Sequence, residues 1–346
     1  MFEPQFTYTD KIVNYIAEIA SAKEVISNAK IIPLYDTQLK QEALIRSSHY
    51  STSIEGNPLN LDEVETLIKN NQEPTTKAEQ EVLNYFNVLN HLDQYSDEII
   101  TCDTILSVHK DLTKDLLRNP EYEGKFRDTR VFIGNLHTQE INYMPPDAYK
   151  VPGLVDNLLD WLNNSTDEMY PVIIAGILHY ELVRIHPFVD GNGRTSRLMA
   201  TLILSVHKFN INNYFTLDEY YNQDRQAYVD ALHSADKNHD LTNWLEYFCG
   251  GVLYSINKVK SEVLKLAEIT SKYDNTIQLT PNEISVLTLL EEKGHIQNKD
   301  IQEMLNITPQ ASYKIIKKLK SNVWNTICAF WLTSGCFHIF KQGKRE

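Results

Sequence analysis

Apolar residues return every three or four positions along most of the chain, as in Ile12, Ile16 and Ile19, in Val82, Tyr85, Phe86 and Leu89, and in Val155, Leu158, Leu159 and Leu162. That period lines them along one face of an α-helix, so the chain reads as mainly α-helical. The pattern predicts helices near 10–28, 37–55, 61–69, 77–95, 102–117, 147–164, 169–185, 193–208, 218–233 and 240–272, with three more after a break. Strand-like sequence is confined to Arg130–Gly134 and Gln139–Tyr143, which read as one β-hairpin turning through Asn135 to Thr138. Two short strands are marginal alone, so the hairpin must lean on the helical body.

With 346 residues the chain exceeds what one hydrophobic core usually serves. The long helical pattern dissolves between Lys272 and Leu279, which places a smaller domain after it. Three regions are expected: an N-terminal helical region at 1–100, a core at 101–272 and a C-terminal module at 276–346. No run of eighteen apolar residues occurs and the first residues do not resemble a secretory signal, so a soluble, cytoplasmic protein without a membrane partner is expected. Cys102, Cys249, Cys328 and Cys336 are scattered, without a C-x-x-C pair, which argues against a disulfide framework or a zinc site. Acidic residues concentrate in the large part, giving a net charge of −13, whereas the last 36 residues carry seven basic groups against one acidic. Non-specific contact with nucleic acid is therefore excluded for the body and open for the tail.

Chemistry concentrates in His186-Pro187-Phe188-Val189-Asp190-Gly191-Asn192-Gly193-Arg194-Thr195-Ser196-Arg197, a polar loop between two apolar helical patterns. Gly191 and Gly193 remove side chains where the backbone turns into a helix, leaving free N–H groups and the positive dipole end, which together suit an anion. Arg194 and Arg197 lie three apart on the first turn, so each guanidinium can fork onto phosphate oxygens. Asp190 offers a hard oxygen suited to a magnesium ion shared with phosphates. His186, with an ordinary pKa of about 6.5, can accept a proton from an attacking hydroxyl near neutral pH. The stretch is neither a Walker A loop nor a Rossmann fingerprint, because the lysine and the preceding strand are missing. A hydrolytic metal site on His179, Glu181 and His186 fails because their spacing matches no usual ligand set.

The loop resembles the Fic-family signature His-x-Phe-x-Asp-Gly-Asn-Gly-Arg-x-x-Arg at every specified position. The resemblance implies a helical Fic core with a β-hairpin flap, acting as a protein adenylyltransferase (a nucleotidyltransferase performing AMPylation) with ATP as substrate and Mg²⁺ as cofactor. It implies His186 as general base and Phe188 packed into the core. Asp190 would hold the metal, and the backbone at Gly191, Asn192 and Gly193 would cradle phosphates, with Asn192 also bracing the loop. Arg194 and Arg197 would take the outer phosphates, and Thr195 and Ser196 complete the nucleotide-contacting stretch. A kinase relative carries Lys at the position of Gly193, which favours AMP transfer. Val131, Phe132, Ile133 and Gly134, with Tyr143, resemble the flap that clamps a target segment by strand addition. Arg225 to Leu232 resembles the helix supporting the adenine, with Tyr228 and Val229 as nucleoside contacts. Asp236 departs from the Asn that relatives often carry there.

Residues 37–55 form a helical pattern with Leu39, Ala43, Leu44, Ser47 and Ile54 inward, stopped by Gly56-Asn57-Pro58. Glu55 in the last turn opposes the helix dipole, which invites a cationic partner from elsewhere. Ser51 to Gly56 resembles the inhibitory Ser/Thr-x-x-x-Glu-Gly/Asn motif of one class of the family. The implied consequence is autoinhibition: Glu55 pairs with Arg197 and ATP binds in a pose that cannot react. Self-modification and reverse removal of AMP are further activities that the resemblance allows.

Thr280-Pro281-Asn282-Glu283 is a capping box with proline at the first helical position. Ile301, Met304 and Leu305 continue a second short helix, and Thr308-Pro309 starts a third bearing Ser312, Tyr313, Lys314, Lys317, Lys318 and Lys320. The order resembles a winged helix-turn-helix module, which implies DNA or a docked protein as partner. The wing region 323–331 is unusually aromatic and lacks the glycine turn of a regular hairpin. Expected partners are thus a protein bearing a Tyr, Ser or Thr hydroxyl, DNA at the C-terminal module, and a second copy of the chain as homodimer. The competing reading is a nucleotide-sensing, DNA-binding regulator whose transferase chemistry is vestigial.

Overall fold

The computed structural model describes residues 2–95, 99–135, 140–164, 169–209, 214–273, 280–283, 285, 286, 289 and 296–322. Contacts divide the chain into two units, one of Met1–Asn28 with Lys40–Glu262 and one of Ala29–Leu39 with Val263–Glu346. Two of the three divisions fall inside helices. Among the described residues the fold is helical except for one two-stranded hairpin.

In the larger unit, α1 (Asp10–Asn28) and α3 (Leu61–Lys69) match the expected bounds. Reciprocal capping boxes start α3, at Asn60 and Glu63, and α4 (Lys77–Asn90), at Thr76 and Glu79. The helix expected at 77–95 stops at Asn90, and a 3₁₀ turn covers Leu92–Tyr95. The helix expected at 102–117 is α5 (Cys102–Thr113), and that expected at 147–164 begins as a 3₁₀ turn before α6 (Val151–Asn164). The inhibitory-helix candidate is α2 (Pro33–Ile54), which starts four residues before its predicted position. Its buried set in the larger unit is Ala43, Ile45, Ser47, Ser48, Ser51, Thr52 and Ile54, with Leu44 only partly covered. Serine and threonine hydroxyls fit inward because they bond within the helix, Ser48 to Leu44 O at 2.7 Å and Thr52 to Ser48 O at 2.8 Å.

The centre is α7 (Pro171–Ile185), in which every residue from Val172 to Leu182 is buried, as a helix enclosed by others must be. It packs along α8 (Asn192–Val206) and beside α6. The single helix expected over 218–233 is two, α9 (Leu217–Gln223) and α10 (Arg225–Asn238). They break at Asp224, whose backbone is non-helical and whose carboxylate caps α10 by accepting the Ala227 N–H at 2.9 Å. The acidic residue that ends one helix and starts the next does not disturb the apolar period, so the pattern ran across it. Helix α11 (Thr242–Tyr273) then begins against α7, with Trp244 fully buried and its indole N–H donating to Gly176 O at 2.8 Å.

The hairpin exists with shifted ends, β1 (Ile133–Asn135) and β2 (Glu140–Tyr143). Ile133 pairs with Tyr143, Gly134 with Ile141 and Asn135 with Glu140, with an irregularity after Ile133. Of the turn expected from Asn135 to Thr138, Asn135 lies in β1 and 136–138 lie outside the described residues.

In the smaller unit the capping box is present, Thr280 N–H donating to Glu283 Oε2 at 2.8 Å. A core of Val286, Ile301 and Leu319 gathers Ile296, Leu305, Ile307, Ile315 and Ile316. Helices α12 (Asn298–Leu305) and α13 (Pro309–Asn322) follow the expected helix-turn-helix order, and α13 leaves Tyr313, Lys314 and Lys317 exposed. The expected wing lies outside the described residues, as does the side chain of Lys320. No described helix is long and apolar enough to cross a membrane.

A Cβ on Gly176 would lie 2.9 Å from Leu245 Cδ2 and 3.1 Å from Phe248. Gly to Ala inside a helix ordinarily gains about 1 kcal/mol, whereas overpacking costs about 1–3 kcal/mol. The clash wins here, so Gly176→Ala should lower the melting temperature; an unchanged or raised value would show that α7 and α11 are not this closely packed.

Candidate functional site

The signature loop is held by more groups than its own motif contains. His186 ends α7 in the left-handed region, φ 51°, with its N–H still on Leu182 O at 3.0 Å. Gly191, φ 78°, precedes α8 in the same region, and a Cβ there would press Thr113 Cγ2 at 3.0 Å. Between them the Asn192 side chain closes a ring: its Oδ1 accepts from Phe188 N–H at 2.8 Å and its Nδ2 donates to Phe188 O at 2.9 Å. Phe188 is fully buried, as the resemblance implied, and stacks on His109 with centroids 3.6 Å apart.

His109 and Arg127 were not singled out from sequence, since each lies far upstream and no spacing links it to the loop. His109 Nδ1 accepts the Gly124 N–H at 3.0 Å, so Nε2 carries the proton and donates to Asp190 O at 3.0 Å. Burial pulls the His109 pKa down to about 4, keeping the ring in this neutral form. Arg127 donates to the carbonyls of His186 at 2.7 Å, Pro146 at 2.5 Å and Thr129 at 3.1 Å, and its backbone N–H reaches Pro187 O at 2.9 Å. One guanidinium thus ties the base of the hairpin to the start of the loop.

His186 itself is partly buried, with Nδ1 3.3 Å from Val183 O. Burial lowers its pKa to about 4, and the nearby Arg127 pushes the same way. A neutral ring that donates Nδ1–H to that carbonyl leaves the Nε2 lone pair as a proton acceptor.

The two arginines, expected to take the outer phosphates, are both buried and both hold carboxylates. Arg194 pairs with Glu81 and lies 3.3 Å from Asp190 Oδ1. Arg197 donates from Nε to Ser51 Oγ at 2.7 Å and from Nη2 to Ser51 O and Glu55 Oε1, each at 2.9 Å. Asp218 Oδ1 lies 3.3 Å from the same Nε. Glu55, at the end of α2, therefore meets Arg197 as the motif resemblance implied. Its carboxylate also lies over the first turn of α8, where a Cβ on Gly193 would overlap Oε1. Burial pushes the Glu55 pKa up, but Arg197, Arg194 and Arg225 together outweigh it and the net shift is downward. An anion thus already sits at the helix start that the sequence marks as an anion site.

Thr195 and Ser196 are buried; Ser196 Oγ donates to Asn192 O at 2.8 Å and the Thr195 N–H donates to Gly191 O at 2.9 Å. A cavity between hairpin and helices is lined by Ile133, Tyr143, Tyr180, Val183, Val229 and Asp236, among others. Ile133 and Val229 are expected contacts brought together there. Tyr228 is buried outside that cavity, its hydroxyl 2.8 Å from His179 Nε2 and also in reach of Arg197, and its ring stacked on Tyr221. Phe132 and Gly134 are exposed on the hairpin, and Val131 is partly covered. Tyr143 fastens the hairpin by donating to Arg184 O at 2.9 Å. Among the described residues no three His, Cys, Asp or Glu side chains cluster as a metal cage. Asp190, with its side chain 58% exposed, gives one carboxylate at the mouth of the loop, a donor set that fits a magnesium ion completed by phosphates and water.

The Fic/DOC family model matches residues 99–204, and the winged helix-turn-helix DNA-binding model matches residues 279–322. The protein adenylyltransferase Fic of Drosophila willistoni is 30% identical over 171 residues, 48% of this chain and 32% of that protein. The chain thus spans about a third of the length of this curated relative. A crystal structure of a Fic family protein from Desulfovibrio desulfuricans G20 superposes with TM-score 0.65 at 27% identity, covering 90% of this chain and 89% of that one. Fic-1 from C. elegans, at 23% identity and TM-score 0.60 over 73% of each chain, shares the fold. The loop from His186 to Arg197, its buried clamps and these likenesses agree: the chain carries a Fic/DOC-family domain, followed in the sequence by a winged helix-turn-helix segment.

Proposed function

We propose that the chain transfers AMP from ATP to a Tyr, Ser or Thr hydroxyl of a protein, and that Glu55 holds this activity down. The observation that carries the reading is the Glu55 carboxylate lying between Arg197 and the first turn of α8. A helix start facing an arginine is where an outer phosphate belongs, and a carboxylate there competes with it directly.

When Glu55 withdraws, the triphosphate lies against the N–H groups at the start of α8, with Arg197 on its outer end and Arg194 beside Asp190. The base enters the cavity between Ile133 and Val229. Asp190 would hold Mg²⁺, which when bound supplies charge neutralisation for the phosphates. Strand β1 of the hairpin pairs with an extended target segment and brings its hydroxyl to His186. His186 Nε2 takes the hydroxyl proton, the oxygen bonds to the α-phosphorus, and the bond to pyrophosphate breaks. The fixed loop contributes mostly position, because a nucleophile held in line avoids much of the entropic cost of encounter. With Glu55 in place the outer phosphate cannot reach Arg197, and the α-phosphorus is not presented in line.

The C-terminal segment suggests DNA as a second partner, supported by exposed Tyr313, Lys314 and Lys317 on α13. A sensor with vestigial chemistry is the competing reading, and His186 separates the two. Loss of AMP transfer in His186→Ala with DNA binding retained supports the enzyme.

Glu55→Gly should raise self-labelling from labelled ATP by about tenfold or more, the equivalent of losing about 1.4 kcal/mol of competing interaction. Equal labelling by the two chains would remove the inhibitory assignment, and no labelling by either would remove the transferase. In the Glu55→Gly chain the base should stay neutral well below pH 6.5, because the His186 pKa is pulled to about 4. Labelling should therefore hold within about twofold between pH 7.5 and 5.5, where an ordinary histidine would lose about tenfold.

A further inference from the structure

Arg197 has two carboxylate partners in very different surroundings. Glu55 is reached from solvent, its side chain 35% exposed, whereas Asp218 is 6% exposed and sits behind the guanidinium. Asp218 comes from the first turn of α9 and packs against Tyr85, whose hydroxyl lies 3.4 Å from Oδ1; burial raises its pKa, while Arg197 and the hydroxyls of Ser51 and Ser47 that bond to it favour the charged form. The guanidinium side chain is 2% exposed. A phosphate arriving from solvent can replace Glu55 but not Asp218.

This arrangement bears on how Glu55 leaves. A guanidinium stays protonated under all ordinary conditions, and a buried cation stripped of its counter-ion is costly. If Glu55 were the sole carboxylate on Arg197, its departure ahead of the nucleotide would strand that charge in the interior. With Asp218 in place the charge stays paired throughout the exchange. Asp218 also shares the positive charge, which weakens the pull of Arg197 on any one anion in front of it.

We propose that Asp218 is the standing counter-ion of Arg197, and that it makes the inhibitory Glu55 contact reversible by keeping the guanidinium paired while Glu55 and the outer phosphate of the nucleotide exchange. Asp218 touches neither substrate nor reacting atoms and acts through Arg197 as a positioning residue. The proposal rests on the autoinhibited transferase reading above.

Neutralising Asp218 has opposite consequences in the two states. With Glu55 present, Arg197 loses its rear partner and grips Glu55 harder, so ATP binds more weakly. With Glu55 removed, the outer phosphate becomes the sole anion available, so ATP binds more tightly and gains over ADP. A merely structural role weakens binding in both states and moves ATP and ADP alike.

The test measures ATP and ADP binding by calorimetry in full-length chains carrying His186→Ala, so that nucleotide is not consumed, with and without Glu55→Gly, and with Asp218 or Asp218→Asn. The expected result is ATP affinity lowered about fivefold or more by Asp218→Asn when Glu55 is present, and raised, with a larger ATP-to-ADP ratio, when it is absent. A change of the same sign in both backgrounds, or no change, overturns the proposal. Should the Asn chain fail to fold, Asp218→Ser removes the same charge and carries the same comparison. If Glu55→Gly in a chain that keeps His186 does not raise self-labelling, the autoinhibition reading fails instead, and the two failures are distinguishable.

Discussion

Everything at this site depends on where one guanidinium can go. Arg197 leaves the first turns of α8 into the protein interior and is fixed there by Ser51 and Asp218 behind and Glu55 in front. A buried arginine held in this way cannot swing out to search for a ligand, so in the proposed reaction the phosphate must come to it. In that reading access to one edge of the guanidinium is the controlling variable, and Glu55 at the end of α2 covers that edge. Gly193 is part of the same constraint, because any side chain there would occupy the space Glu55 now fills.

The rest of the fold serves to keep this arrangement still. Helices α7 and α8 are buried almost throughout, so the loop between them has fixed ends. Within the loop two left-handed residues set the turns, the Asn192 amide closes the ring and His109 stacks beneath Phe188. Arg127 adds the hairpin to the same rigid body through the carbonyls of Pro146 and His186. In the proposed reaction a histidine whose pKa is lowered by burial is a weak base, and the fixed loop offsets this by holding the neutral ring in position.

The sequence made most of the helices legible, because their apolar period is unbroken and their caps are explicit, as at Thr76 and Glu79. It misled where a break left the period intact, as at Asp224, and where a helix end depended on local backbone geometry, as at Thr113. The loop motif could be read because its residues are contiguous. His109, Arg127 and Asp218 could not, because stacking, carbonyl clamping and charge sharing act across the chain without any spacing to betray them. Tyr228 and Val229 are neighbours in sequence, but helical geometry gives them different surroundings: Tyr228 packs among the aromatic residues around His179 while Val229 lines the cavity.

The most direct measurement is a crystal structure of the Glu55→Gly chain soaked with magnesium and an ATP analogue that cannot be cleaved at the α-phosphorus. The account predicts an outer phosphate oxygen within hydrogen-bond reach of Arg197 Nη2, where Glu55 Oε1 stood, with the innermost phosphorus facing His186. A nucleotide bound elsewhere, or a helix start filled by neighbouring side chains, would contradict it.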